Sequence, residues 1–475
     1  MKFRLACRCI VALLLSSAVS QAQIDDKTRK ESRDILRQLI EINTTDSVGS
    51  VTYAAEAMAK RLTDAGFPAS DVQVLGPNDR KKNMVARLRG TGAKKPVLLI
   101  GHLDVVEAHR EDWSRDPFKL EETDGYFYGR GTQDMKASDA ILVTTMIRLK
   151  QEGYQPDRDI ILALTADEEG GSSNGVDWLL KNHRELIDAE FVLNPDGGGV
   201  DTEKGKPVIV SMAASEKLYA DFELEVTNAG GHSSLPRPDN AIYHLANALV
   251  RLQQFRFPFE LNDVTRSYFE RSAHVQKGQT PSDMIAVTKT PPDQAAIDRL
   301  SQDPYYNSTM HTTCVATRLQ AGHANNALPQ RATANVNCRI LPGHSREEVR
   351  KMLVDVIADP KVTVSYVSNG MKVTGNDAAN KSLPPVPLKP EVMIPLEKIA
   401  AQMWPGAPVV PTMATGASDG IYTNAADMPT YGVCGLAIDT DDDRSHGRDE
   451  RLGVESYYSG VDFYYRYLKA VTAAN

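Results

Sequence analysis

Val97-Leu98-Leu99-Ile100-Gly101-His102-Leu103-Asp104 is a short apolar run that ends on an imidazole and a carboxylate. Two later runs share the design: Ile160-Ile161-Leu162-Ala163-Leu164 leads into Asp167-Glu168-Glu169, and Phe191-Val192-Leu193 leads into Asn194-Pro195-Asp196. Continuous apolar residues without polar alternation predict strands buried on both faces. Between the first two runs a helical pattern extends from Met135 to Lys150, with Ile141, Thr145, Met146 and Leu149 on one side. Buried strands alternating with amphipathic helices predict an α/β fold, a mostly parallel sheet flanked by helices. Open sheets of this kind bind ligands at the carboxyl ends of their strands. All three runs deliver their ionisable residues to that one rim.

Upstream, Ile35, Leu39 and Ile40, then Ala55, Met58 and Leu62, keep helical spacing until Ala65-Gly66-Phe67-Pro68 stops it. Downstream the pattern changes near Ser215. Leu218, Ala220, Phe222, Leu224 and Val226 sit at every second position, as do Ala334, Val336, Cys338 and Ile340, the period of strands with one wet face. Helices through Ile242, Leu245, Leu249 and Leu252 and over residues 345–357, with a last strand at Val362-Thr363-Val364, complete a small α+β unit with an open antiparallel sheet. Leu383-Pro384-Pro385-Val386-Pro387 reads as a stiff connector. The α/β character then returns, with a helix from Glu391 to Trp404 and strands near Pro408 and Tyr431. The expected organisation is one α/β domain in two parts, residues 23–212 and 371–475, interrupted by an inserted lid over residues 213–370.

Residues 1–22 are set apart. Lys2, Arg4 and Arg8 precede the apolar run Ile10–Leu15, and Ser20-Gln21-Ala22 supplies small residues at a cleavage site, so a secretory signal cut near Ala22 is expected. The run is too short for an anchor helix, and no other stretch is long enough to span a bilayer. The expected location is secreted or periplasmic. Loss of those three cations takes the formal charge from −8 to −11, a balance that offers nucleic acid no cationic surface. Cys314, Cys338 and Cys434 then remain, an odd number without CxxC spacing, and read as buried small hydrophobes, with one disulfide as the alternative.

Carboxylates crowded at one rim repel one another unless cations neutralise them, and divalent ions bound by oxygen and imidazole do this. Zinc suits such a mixed set. Of the adjacent Glu168 and Glu169, one is the natural ligand and the other a general base for the attacking water. His102 and Asp104 lie on one side of their strand, which lets Asp104 hold the free ring nitrogen of His102. Asp134, at the start of a helix, is open to a capping role instead.

Residues 97–106, Gly129-Arg130-Gly131-Thr132-Gln133-Asp134-Met135-Lys136, Thr165–Gly171, Gly230-Gly231-His232-Ser233-Ser234, Asn326-Ala327-Leu328-Pro329 and Ser445-His446-Gly447 resemble, in order, the successive motifs of the M20 metallopeptidase family. The resemblance implies a di-zinc exopeptidase-like domain with a ferredoxin-like lid, two zinc ions per chain (with cobalt or manganese as substitutes) and a homodimer formed through the lid. It implies that His102 and Asp196 hold one ion, that Asp134 bridges both, and that Glu169 and His446 hold the other. Glu168 becomes the general base, Asp104 the partner of His102, and His232 the group presented to the oxyanion. Asn326 and Arg339 are similar to residues that hold the substrate's carboxylate or carbonyl, and Gly416 lets substrate approach the backbone. Close relatives often carry Asn-Glu-Gly-Gly where this chain has Asn194-Pro195-Asp196-Gly197, which leaves Asn194 as the alternative to Asp196. The same resemblance suggests a cis peptide after Asp134.

Taken alone, His232 is a loop histidine, Arg339 a solvated strand residue, and Asp441-Asp442-Asp443 a solvated acidic loop. His109, His183, His244, His311, His323 and His344 have no metal-binding spacing. The expected activity is hydrolysis of a peptide bond in small peptides that bear a free C-terminal carboxylate. Hydrolysis of N-acyl amino acids is the alternative, and a non-catalytic extracytoplasmic binding protein is a rival of another class, against which the complete set of ionisable residues argues.

Overall fold

The structure, a computed structural model, describes residues 24–368, 371–373, 383, 386–416 and 418–473. The expected signal segment and Pro384-Pro385 of the connector lie outside them. The run that ends at His102 becomes the strand Val97–His102, buried throughout. It pairs in parallel with Ile160–Thr165 on one side and Phe191–Leu193 on the other. Thr430–Tyr431 continues the sheet in parallel beyond Phe191–Leu193. Asn83–Leu88 and Val72–Leu75 complete six strands on the opposite edge, and only Asn83–Leu88 runs against the rest. The parallel centre explains the continuous apolar runs, because helices cover both faces.

The helix Lys136–Gln151 is buried nearly all round, not on one side, because Asp26–Glu41 and Val454–Thr472 pack on it from outside. The N-terminal helical pattern divides into Asp26–Glu41 and Val51–Asp64. Asn43 breaks it, with Oδ1 accepting the Thr45 amide at 3.0 Å and its hydroxyl at 2.8 Å. A second sheet of four strands carries the chain back: Val409–Ala414 pairs in parallel with Lys206–Glu216, followed by Gly199–Glu203 and Ala437–Asp439.

The inserted sheet is antiparallel, in the spatial order Thr313–Ala321, Arg331–Ile340, Leu218–Thr227, Thr363–Ser368, Met371–Lys372. Together with the helices Ala241–Gln254 and Arg346–Ile357, its first four strands in chain order make a β-α-β-β-α-β unit arranged 4-1-3-2, the ferredoxin-like order. Phe222 stands opposite Val336 and Tyr366, and these pack with Leu245 and Leu353 into a hydrophobic cluster separate from that of the main sheet. Ser345 closes a capping box with Glu348 and so starts the second helix. Between the first helix and the strand Thr313–Ala321 lie four short helices, Asp263–Ser272, Thr280–Val287, Gln294–Leu300 and Pro304–Met310. They form a cluster of their own with Val410 of the returning strand.

One expectation is overturned. Cys314 and Cys338 are not separate buried hydrophobes but a disulfide, their Cα atoms 4.1 Å apart. They are directly opposed in the ladder between Thr313–Ala321 and Arg331–Ile340, a register that spacing along the chain does not reveal. Cys434 remains free and buried. Among the described residues no helix is long and apolar enough to cross a membrane.

His244 links the two lid helices. Its Nδ1 lies 2.6 Å from Asp359 Oδ2 and its Nε2 lies 3.1 Å from Asp239 Oδ1; Lys361 Nζ is 3.9 Å from Asp239. The hydrogen bond to Asp359 raises the pKa of His244 against the opposing effect of burial. A raised folded-state value contributes stability that is complete below the ordinary value of 6.5 and is lost as pH rises through the raised one. His244→Gln is expected to lower the melting temperature below pH 6 by the equivalent of 1 kcal/mol or less, on the order of an exposed ion pair. The difference from wild type should disappear in alkaline buffer, as melting curves across pH will check.

Candidate metal centre

The strand Val97–His102 ends with the His102 ring 2 % exposed. Its Nδ1 lies 3.0 Å from the main-chain oxygen of Asp104, and the Asp104 carboxylate stands off at 3.8 Å. The expected contact between ring and carboxylate is therefore made by the peptide carbonyl. The carboxylate accepts instead from the amides of Glu168 at 3.2 Å and Glu169 at 3.0 Å. Asp104 thus joins two strand ends, the turn after Ile160–Thr165 being held by the residue that orients His102.

On its other side, His102 Nε2 lies 3.1 Å from Asp134 Oδ1 and 3.7 Å from Asp196 Oδ1. His446 Nε2 lies 3.0 Å from Asp134 Oδ2 and 2.9 Å from Glu169. Two overlapping groups result, His102 with Asp134 and Asp196, and Asp134 with Glu169 and His446. Asn194 is turned away: its amide nitrogen faces Ser418 Oγ at 3.4 Å and its oxygen accepts the Asp196 amide at 3.1 Å. Asp134 caps no helix, because the helix starts at Lys136 with Met135 at the cap position and no side-chain cap bond. The Asp134–Met135 peptide is cis.

Among the described residues, both His102 Nε2 and Asp134 Oδ1 are buried without a hydrogen bond of acceptable geometry, although they lie close together. Donor atoms that converge without pairing fit a cation between them, and one imidazole with two carboxylates, twice over, fits a borderline divalent ion such as zinc. Electrostatics agree. Burial pushes the Glu168 carboxyl up to about 9, with Asp196, Asp419 and Glu169 adding to the effect and His102 opposing it. Burial and Asp134 push Glu169 up to about 7. The hydrogen bond to Asp134 lifts His446 to about 9. Asp134, despite its burial, is held far below the ordinary carboxylate range by His102 and His446.

Several supporting residues carried no signal in the sequence. Lys81 bridges Asp46 at 2.6 Å and Asp167, whose φ of 59° starts the turn into Glu168; it lies in a polar stretch without periodicity. Glu216 accepts the Ser418 amide at 3.0 Å and its hydroxyl at 2.6 Å, and burial pushes it up to about 7. Asp419, fully buried and pushed by burial to about 7, accepts from Asn174 at 2.6 Å. Asp139 is also fully buried, neither of its oxygens has a hydrogen-bond partner among the described residues, and burial drives its pKa well up.

On the lid, His232 and Asn326 are neighbours: Gly231 pairs with Leu328 and His232 with Ala327 in a short ladder, and the Ser233 amide donates to the Asn326 carbonyl at 3.1 Å. The His232 ring is exposed, and its Nδ1 accepts from the Ser234 amide at 3.2 Å. That assignment leaves Nε2 as the protonated nitrogen. Arg339 lies apart on Arg331–Ile340, its guanidinium 4.7 Å above the Tyr219 ring. Gly416 follows the strand Val409–Ala414, and a Cβ added there would meet nothing within 4 Å. No hydrogen bond or ion pair among the described residues joins His232, Asn326 or Arg339 to the five residues of the two groups.

Residues 98–470 match the model of peptidase family M20/M25/M40. A probable carboxypeptidase S-like protein of Dictyostelium discoideum is 31% identical over 392 residues, which cover 79% of this chain and 71% of that one. An N-fatty-acyl-amino acid synthase/hydrolase of Xenopus tropicalis is 29% identical over 78% of this chain and 71% of its own. Among solved structures, an M20 family metallo-carboxypeptidase from Sulfolobus solfataricus superposes with a TM-score of 0.66 at 18% identity, covering 94% of this chain and all of the other. Human carnosine dipeptidase 1 follows with 0.61 at 16%, covering 94% and 97%. With its motifs in order along a matching α/β fold, the chain belongs to the M20/M25/M40 peptidase family and is an enzyme of the metallopeptidase and amidohydrolase class.

Proposed function

We propose that the enzyme hydrolyses the amide bond of a small peptide with a free C-terminal carboxylate, using two divalent ions, zinc by the chemistry of the donors. The supporting observation is that two three-residue groups share Asp134, while Glu168, next in the chain to Glu169 and a member of neither, feels the charges of His102, Asp196 and Glu169. His102, Asp134 and Asp196 would hold one ion, and Asp134, Glu169 and His446 the other. When bound, such ions polarise a carbonyl and lower the pKa of water.

The rest falls to the chain itself. Glu168 serves as general base: its carboxylate makes no hydrogen bond among the described residues, while its amide is fixed on Asp104. In its ionised form, which nearby divalent cations would favour against the burial that pushes it up, it takes a proton from the attacking water and returns it to the leaving amine. His232, with hydrogen on Nε2, serves as donor to the developing oxyanion. Arg339 and Asn326 receive the free carboxylate, for which a guanidinium fork is suited. Gly416 leaves room for the substrate backbone.

The exposed Val315 and Leu319 on the edge strand Thr313–Ala321 support pairing of two lids as a homodimer. The disulfide supports export from the reducing cytosol by the signal at residues 1–22. A second reading, hydrolysis of N-acyl amino acids, is favoured by the name of the Xenopus tropicalis relative. It keeps the same carboxylate recognition and differs only on the acyl side of the bond.

Glu168→Gln is expected to keep the zinc content and melting temperature of wild type while turnover falls by about 10²–10⁴. A chelator should abolish wild-type turnover, and added zinc should restore it; full activity in the variant would remove Glu168 from its role. In a panel of dipeptides, N-acyl amino acids and their C-terminal amides, dipeptides should show the highest kcat/KM and amides almost none. Higher values for N-acyl amino acids would select the second reading, and amides cleaved as fast as acids would refute carboxylate recognition.

A further inference from the structure

Glu450 lies in the segment that carries His446, yet it belongs to neither group of candidate ligands. Its side chain is completely buried. Oε1 accepts the amides of Gln133 at 2.6 Å and Asp134 at 3.2 Å. Oε2 accepts the amide of Gly131 at 3.1 Å and Arg130 Nη1 at 2.6 Å. Its own carbonyl takes a further amide, that of Gly129, at 3.1 Å. The amides can converge on one carboxylate because Gly131 adopts a φ of 94°, which other residues rarely reach. An added Cβ there would also meet the Lys136 side chain at 2.9 Å.

Arg130 and Gln133 extend the lacing. Arg130 Nη2 approaches the His446 carbonyl at 3.4 Å. The Gln133 side chain donates to the Arg451 carbonyl at 2.9 Å and accepts the Arg444 amide at 2.7 Å. Two ligands of one group, Asp134 and His446, therefore come from separate segments that meet around one buried anion.

We propose that Glu450 is a positioning residue: it fixes the Gly129–Asp134 turn that presents the shared ligand Asp134 and, through Arg130, sets that ligand's distance from His446. Asp134 touches both groups, so an error in its place disturbs both. A turn held at three amides and a guanidinium leaves the Asp134 side chain little freedom to follow the repulsion of Glu169 and Asp196. Hydrogen-bonded partners of this kind typically change metal affinity by about 10–100-fold when altered. A purely structural ion pair would instead change stability and leave affinity alone.

The inference rests on the two-ion reading above, and zinc titration separates the two. Glu450→Asp keeps the charge and shortens its reach by one carbon. Arg130→Met/Glu450→Gln removes both buried charges together and guards against loss of the fold through an unpaired guanidinium. Zinc affinity, measured by competition with a chromophoric chelator, should fall about 10–100-fold in both variants, with kcat reduced and KM little changed. Melting of the metal-free proteins should stay near wild type. Variants that bind zinc like wild type, whatever their melting temperature, would overturn the role of Glu450. A wild-type chain that binds no zinc would overturn the two-ion reading itself.

Discussion

Repulsion among carboxylates at the ends of parallel strands is the constraint around which this molecule is arranged. Asp134, Glu169 and Asp196 lie within reach of two imidazoles, and Glu168 stands next to them. Two like charges 4 Å apart cost about 4 kcal/mol at an effective dielectric constant near 20, so several together could not persist unaided in a cleft. The rim answers this in three ways. His102 and His446 converge on oxygens of Asp134 and Glu169, in groups that could hold a cation. Burial pushes Asp139 and Asp419 toward the neutral form. Three further carboxylates, Asp104, Glu216 and Glu450, are turned onto main-chain amides.

The third answer orders the site as well as neutralising it. Asp104 accepts the amides of Glu168 and Glu169, Glu450 those of Gly131, Gln133 and Asp134, and Glu216 that of Ser418. In each case the anion sits on the turn that carries a candidate functional residue. An amide is a weak partial charge, but it is covalently attached to the residue that must be placed, so the bond that relieves the anion also fixes the turn. Asp104 shows the consequence most plainly. With its carboxylate committed to the next strand end, the orientation of His102 passes to a main-chain carbonyl, which cannot titrate.

What could be read from the sequence was local. Apolar runs ending in His102, Glu169 and Asp196 announce buried strands and a shared rim, because strand direction and the carboxyl-end rule suffice to bring them together. Alternation at Leu218–Val226 and Ala334–Ile340 likewise announces a sheet with one wet face. Features that depend on register or on contacts between distant segments were not legible. Cys314 and Cys338 are paired by a hairpin register, Glu450 meets Asp134 across more than three hundred residues, and Lys81 reaches Asp167 from a stretch without pattern. The helices between residues 263 and 310 carry little signal of their own for a related reason: they are short, and they pack on Val410, which the chain supplies only a hundred residues later.

The proposed division of labour between rim and lid is in keeping with their separate hydrophobic clusters. His232, Asn326 and Arg339 are carried by the antiparallel sheet and its loops, while every member of the two candidate ligand groups belongs to the α/β part. The lid has its own core, built on Phe222, Val336 and Tyr366, and a disulfide across its edge, so its interior can hold its shape independently of the rim. What sets its position is the junction. Lys217, fully buried between the strands Lys206–Glu216 and Leu218–Thr227, donates to the His311 carbonyl at 2.7 Å and to Ser308 Oγ at 3.0 Å. His311 in turn lies 2.9 Å from the Phe257 carbonyl. Three segments of the chain, around Lys217, Phe257 and His311, are thus tied by directional bonds to neutral acceptors. Such bonds fix an angle more than they add stability, because burying an ammonium without a counter-charge costs free energy that an apolar contact would not. The arrangement makes sense if a recognition surface has to be held at a set angle to a chemical centre with which it shares no core.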